Sequence, residues 1–240
     1  MIKNKRLFVL VLLSIIVQMI FLKFSSLEMS RFPFLDGVPL TSSRMLTYQY
    51  LLYWYFPVIV MSFYFSGNLR EAIRFKGIPY ITRRYSKNMF MMKQFLSMFL
   101  SLVFFISFQF LIFRLFKVNT YDLSVDTYTY MMVIYVGSLV VMFSIQMYME
   151  LFFKSEIAQL IVSIYILVPT LLSAEFQKTA MLSNYFFLSN YAMGLRNGLN
   201  DWDFLSSNIV NSSYGMIGIM LLEILLVWLS IQRFKKLDIM

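Results

Sequence analysis

Six apolar stretches alternate with polar ones along the 240 residues of the chain. The first, Leu7–Leu22, holds only Ser14 and Gln18 as polar members and follows Lys3, Lys5 and Arg6. A signal peptide begins in a similar way, but this run exceeds a usual apolar core and no small-x-small cleavage site follows it. It predicts a first membrane helix with its N-terminus inside, extended by Phe24 and a snorkelling Lys23. Leu46–Ser66 predicts the second span. Tyr48, Tyr50, Tyr53, Trp54 and Tyr55 lie at its start, as an interfacial aromatic belt requires, and Pro57 predicts a kink within it. Phe95–Phe113, Tyr128–Met149, Ile157–Ser173 (with Pro169 near its outer end) and Tyr214–Ile231 predict the remaining four. The reading is an all-α membrane protein: one domain over residues 1–240, six transmembrane helices and both termini cytoplasmic.

The connections differ in kind. Residues 67–94 form the inner loop between the second and third spans, and Gly67–Lys93 carries seven Lys/Arg against the single acid Glu71. Ile73, Gly77 and Ile81 recur every fourth residue, so a short amphipathic cytoplasmic helix is expected here. Ser25–Thr47, with Pro33, Gly37 and Pro39, predicts an irregular outer loop. Arg114–Thr127 predicts a short outer loop, and Glu150–Glu156 an inner turn. The longest connection, 174–213, contains Tyr185, Phe186, Phe187, Tyr191, Trp202 and Phe204. A loop that aromatic is expected to dip into the outer interface, re-entering the membrane edge, or to fold back on the bundle.

Composition supports this pattern: 60% of residues are hydrophobic, 19% aromatic and only 14% charged, where a soluble domain would carry about a quarter charged. The net charge of +9 does not point to nucleic acid, because the cations flank apolar stretches. With the proposed orientation, 14 Lys/Arg lie inside and 7 outside, the bias expected of cytoplasmic segments. Anionic lipid is the expected acidic neighbour. Dipping into the lipid surface and docking on a protein partner would both use the cations and apolar residues interleaved in Gly67–Lys93, and composition leaves the two open.

The absence of Cys and His removes thiol chemistry, His/Cys metal sites and imidazole catalysis, and no G-x-x-x-x-G-K-[ST] run is present. No enzyme and no cofactor are expected. Glu223 is the one ionisable residue at mid-span, a placement that costs roughly 2.5–3.5 kcal/mol even on insertion scales. It is expected to face the bundle interior. Polar stripes at helical spacing supply its candidate partners: Ser97, Ser101 and Gln109; Ser138 and Gln146; Gln159, Ser163 and Thr170. Glu223 is then either part of a substrate path or proton-sensitive latch, or a structural hydrogen bond between helices.

Arg84-Tyr85-Ser86-Lys87-Asn88, within Ile81–Lys93 and between spans two and three, resembles the cytoplasmic loop of small ABC-2-type permeases of Gram-positive bacteria. The likeness is to those serving bacteriocin or lantibiotic self-immunity and peptide export. The resemblance implies a coupling helix, with Arg74, Arg83, Arg84, Tyr85 and Lys87 receiving the motion of a separate ABC ATPase subunit. It further implies a second permease subunit (homo- or heterodimer), an amphipathic peptide substrate and the bacterial cell membrane. The alternative is a stand-alone immunity or adaptor protein that binds a peptide or partner through the 174–213 loop.

Overall fold

The computed structural model describes residues 5–24, 34–40, 44–77, 86–116, 124–179, 181–200 and 209–236. Their elements are α1 (Lys5–Phe24), α2 (Arg44–Phe65), a short α3 (Asn68–Ala72) that runs on as a π-helical turn (Ile73–Gly77), α4 (Lys87–Phe116), α5 (Val125–Met149), α6 (Ser155–Thr179), a 3₁₀ turn (Met181–Phe186), α7 (Leu188–Tyr191) and α8 (Ser212–Lys236). No strand occurs among the described residues. Among the described residues, five helices are long and apolar enough to cross a membrane: α1, α4, α5, α6 and α8. α2 has comparable length, but five tyrosines, Trp54, Gln49 and Pro57 dilute its apolar residues, and it is not among the five.

α5 is the centre of the bundle. Two-thirds of its apolar window is buried, against a third or less in the other four, and it packs against α2, α4, α6 and α8. Its start is fixed locally, since the Ser124 hydroxyl accepts the Thr127 N–H at 3.2 Å as an N-cap. α1 lies outside this group, against α2 and α4. The outward faces remain apolar: Val9, Leu10, Leu13 and Val17 of α1, and Met220, Leu221, Ile224 and Trp228 of α8, are exposed. Contiguous apolar surface of this kind is what hydrocarbon, not water, tolerates.

Two element ends depart from the sequence expectation. α4 begins at Lys87, not near Phe95, because the Ser86 hydroxyl caps it by accepting the Met89 N–H at 3.2 Å. The basic stretch, where a short amphipathic helix is expected, is described only in part. Its first part is α3 with the π-turn, residues 87–93 are the opening turns of α4, and residues 78–85 lie outside the described residues. α6 likewise runs on to Thr179, past the expected end at Ser173.

Candidate functional site

The basic end of the bundle gathers four elements into one junction. Gly67, at φ +75°, turns the chain out of α2 in a conformation that only glycine adopts without strain. Its N–H donates to Glu150 Oε1 at 2.7 Å, and the Ser66 hydroxyl donates to the Ser155 carbonyl at 3.4 Å. Arg70 extends the contact: its Nε donates to the Glu150 carbonyl at 3.3 Å and its Nη2 to the Phe153 carbonyl at 2.6 Å. The start of the basic segment is thus fastened to the turn between α5 and α6. Glu150 is 2% exposed, and burial pushes its carboxyl up to about 7. The N–H groups of Gly67 and Leu69 and the charge of Arg70 oppose that rise.

The other end of the segment is fastened to α8. The Lys87 ammonium donates to the Lys235 carbonyl at 3.0 Å, a cation at a helix C-terminus, and Phe90 stacks on Phe234 with centroids 5.4 Å apart. The Arg233 guanidinium lies over the Phe152 ring at 4.6 Å and closes the circle back to the α5–α6 turn. Among the expected coupling residues, Arg74 is exposed, 5.8 Å from the Phe75 ring, and Lys87 holds α8. Arg83, Arg84 and Tyr85 lie outside the described residues. In the sequence Glu150 is one residue of an expected inner turn, and nothing local marks its contact with Gly67.

The intramembrane polar residues do not converge. Ser144 donates to Glu223 Oε1 at 2.8 Å. Gln146 donates to the Ser62 carbonyl at 2.9 Å and accepts from the Ser62 hydroxyl at 2.7 Å. Gln109 donates to Gln18 at 2.7 Å, and Gln18 donates in turn to the Tyr53 carbonyl at 3.0 Å. Gln159 is buried on α6. None of the eight candidate partners of Glu223 is its partner. Ser144 precedes Gln146 by two residues, roughly 200° around α5, so one faces α8 and the other α2. The signal was present in another form, since Gly137 and Ser144 share a face seven residues apart. Gly137 lies against Ile219, one turn before Glu223.

At the opposite end, the aromatic connection folds back on the bundle. Gly194 N–H donates to the Leu35 carbonyl at 2.7 Å, Leu195 N–H to that of Asp36 at 3.1 Å, and Asn200 to the Asp36 carboxylate at 2.7 Å. At their centre Arg196 is fully buried. Its Nε donates to the Val38 carbonyl at 2.6 Å, Nη1 to Asn190 Oδ1 at 3.0 Å and Nη2 to the Thr170 carbonyl at 3.0 Å. Burial pushes its guanidinium down to about 9, which leaves it charged at neutral pH. Its backbone carbonyl accepts the N–H groups of Ile209 and Val210, which ties in the entry to α8. The sequence reading missed this node. Its sign was four asparagines, at 184, 190, 197 and 200, around one arginine.

No cluster of metal-ligating side chains occurs among the described residues. Residues 11–240 match DUF2705, a family of proteins of unknown function. The chain belongs to this family. It is also 33% identical over 218 residues to the uncharacterized protein YybK of Bacillus subtilis (strain 168), covering 87% of this chain and 86% of that one. No solved structure matches the chain.

Proposed function

We propose that this member of the DUF2705 family is the membrane-spanning subunit of an ABC transporter of the bacterial cell membrane. In this reading α2 is the sixth span, both termini are cytoplasmic, and the chain works with a separate ATPase and a second permease subunit. The cargo is an amphipathic peptide. The observation that carries the reading is the junction at the basic end. A basic segment fastened at its start to the α5–α6 turn through Glu150, and at its finish to α8 through Lys87 and Phe90, is built to pass a push into the bundle. The resemblance of Arg84–Asn88 to the permease coupling loop supplies the partner. The cytoplasmic side is assigned by charge, because Arg70, Arg74, Lys87, Lys93, Lys154, Arg233, Lys235 and Lys236 all belong to this end. Glu223, held by Ser144 beside an apolar groove, is the polar element nearest a path between α5 and α8.

The test is co-purification in mild detergent with the ATPase encoded nearest the gene, wild type beside Arg83→Glu/Arg84→Glu. The wild type is expected to retain the ATPase and the double variant to lose at least tenfold of it while inserting normally. If wild type and variant retain it equally, or neither binds it, the coupling assignment is wrong. A stand-alone binding protein that uses the exposed Leu182, Tyr185 and Phe186 of the outer connection then takes its place.

A further inference from the structure

Between α1, the end of α2 and the first half of α4 lies an open groove made of two adjoining cavities. One, of about 410 Å³, is lined by Phe8, Leu96, Leu100 and Phe104 on its apolar side. The other, of about 310 Å³, is lined by Asn68, Gln94 and Met147. Tyr64, Lys93, Ser97 and Ser101 are common to both. The two characters come from one helix. Lys93, Ser97 and Ser101 recur every fourth residue of α4, and Leu96, Leu100 and Phe104 form the neighbouring row. From Lys93 to Phe104 is about 16 Å along the axis. The apolar end is closed by Phe8, stacked on Phe104 at 5.5 Å and 6.2 Å from Tyr64. The polar end opens toward the basic junction.

We propose that this groove binds one anionic phospholipid of the membrane leaflet at the basic end, its phosphate against Lys93 and Ser97 and its acyl chain against Leu96, Leu100 and Phe104. Three features select this occupant. The groove is amphipathic, with the exposed apolar row of Leu96, Leu100 and Phe104 along one side and the cation at its basic end. Its charge is positive: among the described residues that line it, Lys93 is the one that is charged. Its polar end lies by the basic junction, since Lys93 falls within two turns of Lys87 at the start of the helix and Asn68 opens α3 just after Gly67. A peptide of net positive charge would meet Lys93 unfavourably at this site. The leaflet assignment rests on the orientation proposed above; the site itself does not.

Native mass spectrometry of the full chain from detergent tests this, with equal phosphatidylglycerol and phosphatidylcholine added. Wild type is expected to retain phosphatidylglycerol in preference, and Lys93→Gln to lower that preference about fivefold. Lys154→Gln, which removes a cation at the same end but away from the groove, should leave it unchanged. Leu100→Trp, which fills the apolar side, should lower retention of both lipids. Millimolar inorganic phosphate should not displace the bound lipid. If Lys154→Gln lowers the preference as much as Lys93→Gln, general surface charge is responsible and the site is refuted. Displacement by phosphate alone would likewise overturn the acyl-chain half of the assignment. The readout is lipid retention, so neither result depends on an ATPase being bound.

Discussion

Replacing Arg196 with Leu is expected to be the most damaging single change in the chain, costing about 3–5 kcal/mol, the range for removing one member of a buried charged network. The leucine would fill much of the space, but the carbonyls of Val38 and Thr170 and Oδ1 of Asn190 would each lose a charged donor. Those acceptors come from three separate stretches: the segment before α2, the second half of α6, and α7. The loss therefore loosens the whole end of the bundle opposite the basic junction. Arg196→Lys keeps the charge but not the planar fork that reaches three acceptors at once, so it should fall between Leu and wild type. Tryptophan-fluorescence melting in detergent is the measurement. A fall in Tm on the order of 10 °C is expected for Arg196→Leu. The exposed Arg114→Leu is expected to move Tm little. Equal melting of the two variants would contradict the role given to Arg196.

The second large effect is a pH dependence carried by Glu150. Its carboxyl is raised to about 7 in the folded chain, chiefly by burial, from an ordinary 4.5. A carboxyl raised on folding favours the folded state most below the unfolded pKa. That contribution is lost as pH rises through about 7 and changes little above it. The difference is on the order of 3 kcal/mol. Wild-type stability should therefore fall between pH 5 and pH 7.5. Glu150→Gln keeps an acceptor for the Gly67 N–H without a charge to bury, so its curve should stay flat over that interval. The variant should match wild type near pH 5 and exceed it at pH 8. Thermal melts at intervals of half a pH unit read this directly. Parallel curves for the two proteins would show that Glu150 is not the group responsible.

The apolar stretches were legible because hydropathy reports what a membrane excludes, and 16 residues broken only by Ser14 and Gln18 leave little choice. Helix ends were less legible, since hydropathy does not mark where backbone bonding starts. α4 begins at Lys87 because Ser86 caps it, although its first turns carry Lys87 and Lys93. The place of Glu223 midway along α8 could be read from the last apolar stretch. Its partner could not, because the stripe read at helical spacing on α5 joined Ser138 to Gln146 and passed over Ser144, which faces the right helix. Arg196 was hidden for a different reason. The aromatic residues of 174–213 point to the interface or back to the bundle, but only the contacts with Asp36, Val38 and Thr170 turn its asparagines and arginine into a buried node. The junction at Glu150 depends on contacts 80 or more residues apart, which no local pattern encodes.

Proximity of residue 84 to an ATPase in the intact membrane tests the coupling assignment most directly. The chain has no cysteine, so Arg84→Cys supplies a single thiol for a maleimide photo-crosslinker. Tyr214→Cys, at an exposed position at the opposite end, serves as the control. In membranes that also contain the ATPase encoded nearest the gene, Arg84→Cys should yield an adduct of the summed mass and Tyr214→Cys none. No adduct from Arg84→Cys, with both proteins present and inserted, would contradict the permease reading.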